Sequence, residues 1–478
     1  MGKNTFHLIS LGCAKNTVDS DSMAQLLIRD GYQSVDDPSG ADVLIVNTCG
    51  FIGPAKEESL NTLRDLAEIK RGGQILIAAG CLTQRYDAQI AEQVPGIDGI
   101  LGTRRWMDIV QLVHQLRKGP YLKPLYHLPN EAVTVGTDEA DTLRASVAGA
   151  SAYLKIADGC RRPCAFCAIP LIKGTAVSRP LETILGEACR LRDSGVRELV
   201  LIAQDTTDYG HDLGMKDGLS VLLERLVAEV ANESSSPSVK GVRGKGGLDW
   251  IRIMYAYPGY VTDRLIEVMA SNRQILPYLD IPLQHAHPET LYRMRRPSNV
   301  DWVYRTLEKM RTAFSGQPLA IRTTFIVGYP GETDEEFETL MNFVDEIRFD
   351  RVGTFKFSFE LGTTSEPLGD PVPAEVKEER YQHLMERQQV ISLQINQSFV
   401  GQTLDVLVEG YGDGISVGRS YRDAPEIDGL VLIEGKLEVG QIVPVKVTGA
   451  MAYDLTGVPA GGESRGMVEL PAFDAKST

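Results

Sequence analysis

The sequence predicts an α/β chain in which two parallel-sheet regions precede a small antiparallel β-barrel. Three observations predict it. Apolar runs of strand length alternate with helix-like runs over residues 1–118, and again over 149–398. Such alternation argues for parallel strands with helices packed on them. From 399 to 470 the pattern becomes short β-type runs separated by glycines, as in a small barrel.

In residues 1–118 the strand runs are Phe6–Leu11, Val43–Val46, Ile75–Ala79 and Ile97–Leu101. Helix-like stretches are Ser20–Asp30, Ala55–Lys70, Ala88–Gln93 and Trp106–Arg117. This is a flavodoxin-like N-terminal domain. Residues 119–148 carry Pro120, Pro124 and Pro129 and read as a linker with room for a hairpin. Residues 149–398 hold six strand runs: Ala152–Ile156, Glu198–Ala203, Trp250–Tyr255, Tyr278–Ile281, Ile321–Val327 and Gly353–Phe357. A long helix over Ala374–Ser398 closes the region. Six strand–helix units predict a partial (β/α) barrel, whose active site lies at the C-terminal strand ends. Residues 233–247, rich in serine and glycine, read as a solvated insertion. The final barrel is read from Thr403–Val408, Leu430–Ile433 and Ile442–Val447.

The 478 residues allow about two to four domains. No apolar run reaches membrane-spanning length, so no membrane association is expected. The N-terminus enters a strand pattern without a signal-peptide core, which points to the cytoplasm. Net charge is −15, from 49 basic and 64 acidic residues. Nucleic-acid binders carry a basic face, so the charge argues against direct nucleic-acid binding. Residues 401–478 hold 12 acidic and 6 basic residues, and an acidic tail suits a basic protein partner. The seven cysteines all precede residue 190 and form no secreted disulfide framework.

Cys160, Cys164 and Cys167 form C-x3-C-x2-C with no fourth cysteine nearby. A cuboidal iron–sulfur cluster normally takes four thiolates, so three leave one iron open. The alternative is a zinc site on Cys164 and Cys167. Structural zinc prefers paired C-x2-C units or added histidines, and neither is present. Cys13, Cys49 and Cys81 each follow a strand run and each neighbours a glycine. Strand ends of a doubly wound sheet form one ligand-binding edge, so these three converge as candidate ligands of a second cluster. Three buried core thiols are the alternative. Cys189 lies on a helical stretch and reads as a core thiol. The run from Thr324 to Thr333 ends a strand at glycine-rich positions, and Gln204, Asp205, Gln284, His285 and Arg322 also fall at strand ends. Glu332 suits a helix start, and His285 and His287 lack a convincing metal spacing.

The C-x3-C-x2-C motif resembles that of radical S-adenosylmethionine (SAM) enzymes, in which the open iron chelates SAM. The second cysteine set and the terminal barrel extend the likeness to the radical SAM methylthiotransferase family over nearly the whole chain. It rests on Ser10-Leu11-Gly12-Cys13-Ala14-Lys15-Asn16, Asn47-Thr48-Cys49-Gly50, Gly80-Cys81-Leu82-Thr83, Cys164-Ala165-Phe166-Cys167, Ile202-Ala203-Gln204-Asp205, Asp280-Ile281-Pro282-Leu283-Gln284-His285 and Asp423-Ala424-Pro425-Glu426. Only the 233–247 insertion departs from the family's compact pattern. The resemblance implies two 4Fe-4S clusters, one on Cys160, Cys164 and Cys167 and one on Cys13, Cys49 and Cys81. It implies SAM contacts at Phe166, Gln204, Arg322, Gly328, Pro330 and Gly331, and makes the terminal barrel a TRAM domain. It further implies that a 5′-deoxyadenosyl radical takes hydrogen from the β-carbon of an aspartate of ribosomal protein S-twelve. The second cluster supplies sulfur, and a second SAM methylates it. A low-potential flavodoxin- or ferredoxin-type electron donor is expected. The competing readings are a tRNA methylthiotransferase and a non-catalytic iron–sulfur redox protein.

Overall fold

Alternate residues of one strand face opposite sides of its sheet, and the N-terminal region uses both sides. The computed structural model describes residues 4–119, 121–128, 139, 141–231, 247–316 and 318–460. It divides into two compact units, Met1–Gln388 and Gln389–Thr478. The first unit begins with a six-stranded sheet of β1 (Thr5–Ser10), β2 (Gln33–Ser34), β3 (Val43–Thr48), β4 (Ile75–Gly80), β5 (Gly99–Gly102) and β6 (Leu125–His127). All pairs are parallel and the order is β2-β1-β3-β4-β5-β6. Val43, Ile45 and Ile77 pack with Met23, Leu27 and Leu112 on one face. Leu44, Val46 and Leu76 pack with Leu60, Leu63 and Ile90 on the other. The helices that supply these residues are α1 (Ala14–Arg29), α2 (Gly53–Ile69), α3 (Cys81–Gln93) and α4 (Ile109–Leu116). The flavodoxin-like layering is therefore present.

Two helices start earlier than their sequence pattern indicates. α1 begins at Ala14 rather than Ser20, because Asn16, Asp19, Ser20 and Ser22 are polar yet buried, which hides the apolar periodicity. α3 begins at Cys81 rather than Ala88.

The 119–148 stretch donates strands to both neighbours. β6 extends the first sheet. β7 (Ala145–Ala148) forms a hairpin with β8 (Ser151–Lys155), closed at Gly149, whose φ is +59°. Pro120, Pro129 and the insertion at 233–246 lie outside the described residues. A short antiparallel pair, β9 (Ala157–Asp158) with β10 (Val177–Ser178), follows. Between its strands run the C-x3-C-x2-C loop and α5 (Ile169–Lys173).

Six parallel barrel strands lie in two sheets. One holds β8, β11 (Glu198–Ile202) and β12 (Trp250–Ile253); the other holds β13 (Tyr278–Asp280), β14 (Ala320–Val327) and β15 (Arg351–Lys356). An Ile251–Ile275 bridge joins their edges. Helices α6 (Leu181–Asp193), α7 (Gly218–Ala231), α8 (Asp263–Ser271), α9 (Pro288–Arg293), α10 (Asp301–Ala313) and α11 (Asp334–Ile347) intervene, and α12 (Ala374–Gln397) follows.

The second unit begins within α12. It holds a closed barrel of β16 (Thr403–Gly412), β17 (Ile415–Ser420), β18 (Val431–Glu434), β19 (Ile442–Ala450) and β20 (Leu455–Pro459), ordered β16-β17-β18-β20-β19. Its core includes Val406, Val408, Ile433, Val445 and Leu455. β17 escapes a sequence reading because its buried residues include the polar Ser416, Arg419 and Ser420. Residues 461–470 of the expected barrel lie outside the described residues. No described helix is long and apolar enough to cross a membrane.

Candidate functional site

Strand register brings the first cysteine set to one sheet edge. Ser10 pairs with Asn47, and Thr48 with Gly80, so Cys13, Cys49 and Cys81 leave neighbouring strand ends. Side-chain amides lock this edge. Asn16 donates to the carbonyls of Leu11 and Asn47 at 2.7 and 3.0 Å, and Asn47 donates to the Asn16 carbonyl at 2.9 Å. The Ser59 hydroxyl accepts from the Cys49 N–H at 2.9 Å. The glycines are needed for closeness. A Cβ on Gly12 would come 2.8 Å from Cys49 Cβ, and one on Gly50 would come 2.6 Å from Leu82 Cα. Cys13 caps the N-terminus of α1 and Cys81 opens α3.

The second set lies on the loop after β9. The Ala165 N–H donates to the Met294 carbonyl at 2.9 Å, and the Ala165 carbonyl accepts from the Ser365 N–H at 2.8 Å. Donors surround the sulfurs. The Arg162 N–H reaches Cys160 Sγ at 3.4 Å, Arg296 Nη1 reaches Cys164 Sγ at 3.5 Å, and the Tyr257 hydroxyl stands 3.8 Å from Cys164 Sγ. Arg162 is in turn held by Asp205 at 2.6 Å and lies 3.6 Å from the Tyr260 ring centre. A cavity of about 390 Å³ opens here, lined by all three cysteines with Arg162, Arg295 and Thr363.

Burial pushes the Cys81 and Cys167 thiols up to about 12, and that of Cys160 up to about 11. The metal-free protein therefore holds these thiols protonated, and metal loading must release the protons. Among the described residues no three His, Cys, Asp or Glu side chains could share one metal ion. Three soft thiol donors stand in each place. N–H and O–H groups are aimed at sulfur at the second set, and the Phe51 backbone N–H at Cys49 in the first, which fits an iron–sulfur cluster.

The expected SAM contacts divide. Gln204 follows β11, and its buried Oε1 has no hydrogen-bond partner, as a ligand-facing amide would. Phe166 packs on a cluster of Met294, Ile326, Tyr329 and Phe357. Arg322 donates to Asp280 at 2.9 Å. The space beside Gly328 is filled by Lys377, so its missing Cβ has a packing cause. Pro330 is buried, and Gly331 is exposed with its carbonyl accepting from Arg293 at 3.1 Å. Gln284 has φ +76° and pairs its backbone with Thr324 and Ile326. Glu332 does not cap a helix. It accepts from the Tyr329 N–H at 3.1 Å and from Arg380 at 3.0 Å, while Thr333 and Glu336 form the capping box of α11. His287 accepts from the Glu289 N–H as the cap of α9. Cys189 is half-buried on α6.

A buried ionic cluster joins the two cysteine regions, and sequence reading missed it. Asp19 on α1 accepts from Arg144 at 2.5 Å, Lys155 at 2.6 Å and Lys173 at 2.8 Å. Lys155 and Lys173 also approach Asp158, at 3.1 and 3.6 Å. Burial alone would raise the Asp19 carboxyl, but Lys155, Lys173 and Arg144 outweigh it and hold it well below the carboxylate range. Lys15, two residues past Cys13, places its ammonium 3.1 Å from the Tyr255 ring centre. Burial holds its pKa below the usual lysine value. Its only sequence signal is its place beside the cysteine.

Comparisons with known proteins agree in order and extent. The model of the Uncharacterized protein family UPF0004 matches residues 5–102, that of the Radical SAM superfamily 154–344, and that of the TRAM domain 400–459. The chain is 46% identical over 492 residues to the ribosomal protein uS12 methylthiotransferase RimO of Roseiflexus sp. (strain RS-1), covering 99% of each. It is 47% identical over 468 residues to the RimO of Chloroflexus aurantiacus, covering 95% of this chain and 99% of that one. Among solved structures, the radical SAM methyltransferase TsrM of Kitasatospora setae superposes with a TM-score of 0.53 at 12% identity, over 87% of this chain and 81% of that one. That likeness is one of fold. Identity of this level over the full length of both chains decides the family: the protein belongs to the ribosomal protein uS12 methylthiotransferase RimO family.

Proposed function

We propose that this protein transfers a methylthio group to the β-carbon of an aspartate of ribosomal protein uS12, using SAM and two 4Fe-4S clusters. The observation that carries the reading is the presence of two three-cysteine sets within one compact unit, tied together by Asp19. Cys160, Cys164 and Cys167 would hold one cluster, and Cys13, Cys49 and Cys81 the other. When bound, the first supplies the electron that opens SAM and the second supplies the transferred sulfur. An unactivated C–H bond offers no acid–base route, so the hard step belongs to the cofactor while the protein orients and shields it.

The chain's own residues have definable tasks. Gln204, with its unpartnered Oε1, and Phe166, on the loop between Cys164 and Cys167, would contact SAM. Arg162 and Arg296 place positive charge beside Cys160 and Cys164, offsetting the thiolates. A flavodoxin- or ferredoxin-type protein would deliver the electrons.

The terminal barrel supports a protein substrate over nucleic acid. Among its described residues six acidic ones are exposed, Asp405, Glu409, Asp413, Glu426, Glu434 and Glu438, against exposed Lys436 and Lys446. Arg419 and Arg422 are buried and engaged, Arg419 with Glu409 and Arg422 with Asn396. Phosphate binding draws on exposed Lys and Arg, and on this surface exposed acids outnumber them.

Anaerobically reconstituted protein, SAM and a reductant are incubated with uS12, ribosomes or tRNA and analysed by mass spectrometry. The methylthio mass is expected on uS12. Its appearance on tRNA alone would defeat the reading.

A further inference from the structure

Lys15 is a cation without an acceptor. Its ammonium carries three donors, yet it makes no hydrogen bond or ion pair among the described residues, and it stands over the face of Tyr255, 3.1 Å from the ring centre. Of its acidic neighbours, Cys13 is a candidate cluster ligand and the two carboxylates are engaged elsewhere. Asp280 accepts from the Tyr255 N–H and from Arg322, each at 2.9 Å. Asp158 faces Lys155 and Lys173.

The surroundings are built rather than incidental. Tyr255 follows β12 with φ +61°, a conformation that costs a non-glycine residue about 1 kcal/mol or more. The Asp280 hydrogen bond holds it there and so aims its ring at Lys15. Lys15 itself stands in the first turn of α1, just past Cys13. The ammonium thus lies where the edge carrying the first cysteine set meets the barrel strand ends that carry the second site.

We propose that Lys15 is the carboxylate-binding residue of the substrate site, pairing with the side chain of the target aspartate. This rests on the function proposed above. In an aspartate the β-carbon is bonded directly to the carboxylate carbon, so fixing the carboxylate fixes the reacting carbon. Carboxylate binding at this point also separates aspartate from asparagine, since only the former brings a charge to a half-buried ammonium. The α-carboxylate of SAM is the other available source of the same chemistry.

The test measures binding of uS12, and of uS12 with its target aspartate replaced by asparagine, to the reconstituted holoenzyme. Wild-type protein, Lys15→Met and Lys15→Arg are compared, with iron content and melting temperature as controls of folding. Wild type is expected to favour the aspartate form by about tenfold or more, the worth of a charge-assisted hydrogen bond. Lys15→Met should bind the two forms within about twofold of each other, and Lys15→Arg should keep part of the preference. An unchanged preference in a folded Lys15→Met would overturn the proposal. So would a loss of SAM affinity in that variant with the aspartate preference intact, which would assign Lys15 to the SAM carboxylate. If wild-type holoenzyme modifies tRNA and leaves uS12 untouched, the functional reading itself falls, and this one with it.

Discussion

Asp19 accepts a hydrogen bond from Lys173 at 2.8 Å, and this contact fixes the spacing of the two cysteine regions. Asp19 sits on the helix that Cys13 caps, while Lys173 ends the helix that follows Cys167. Asp158, which also faces Lys173, immediately precedes the Cys160 loop. The charged groups are all nearly fully buried. Removing one member leaves the others uncompensated, which costs far more than the intact pair contributes.

Asp19→Asn should therefore destabilise the first unit by about 3–5 kcal/mol. The melting temperature should fall well below that of wild type, and iron loading should suffer at both cysteine sets. A variant with wild-type melting and iron content would show that the cluster does not hold the two regions together.

Gly50→Ala tests the closeness of the strand ends. Its Cβ would stand 2.6 Å from Leu82 Cα and 2.9 Å from Leu82 N, and backbone atoms cannot swing aside. The cost is about 1–3 kcal/mol. Iron should drop from about eight to about four per chain, because the strain falls on the first cysteine set alone. Iron and sulfide quantification on anaerobic protein decides this.

The two cysteine sets should separate by function. Cys13→Ala is expected to lose methylthio product while still releasing 5′-deoxyadenosine from SAM. Cys160→Ala should lose both. Simultaneous loss in Cys13→Ala, in protein that keeps about four irons, would argue against separate roles.

Glu332 and His285 should oppose each other in the pH dependence of stability. Burial pushes the Glu332 carboxyl up to about 7, against the pull of Arg380. From about pH 4.5 to 7 the folded chain then holds a proton that the unfolded chain has lost, so stability falls as pH rises. Burial pushes His285 down to about 3. From about pH 6.5 to 3 the unfolded chain holds the extra proton, so stability falls as pH drops. The slopes cancel between about pH 4.5 and 6.5. Glu332→Gln removes one of them and should lose stability on acidification from pH 6.5, by up to about 1.4 kcal/mol per pH unit. Chemical denaturation across that range checks it, and a flat profile in the variant would count against the pairing.

The sequence by itself determined the layering and the chemistry-bearing cysteines. The continuous apolar runs in Val43–Thr48 and Ile75–Gly80 read directly as buried parallel strand, because both faces are covered by helices. Placing Cys13, Cys49 and Cys81 after successive strands predicts their meeting, since parallel strands end on a common edge. The six cysteines and the TRAM-type barrel sufficed to point to the family.

Tertiary structure alone decided what polar residues do. α1 looked too polar to begin at Ala14, yet Asn16, Asp19 and Ser20 are buried because their partners come from distant segments: Asn47 on β3, Lys155 on β8 and Lys173 on α5. Likewise Gly328, expected to contact SAM, has a packing role that only the fold reveals: its missing Cβ makes room for Lys377. Lys15 carries no local signal beyond its place beside Cys13. Its meaning comes from the Tyr255 ring, 240 positions further along the chain, held in a left-handed turn by Asp280. Apolar periodicity is written locally because water acts on every residue alike. The pairing of buried charges is not, because each partner is chosen by the fold.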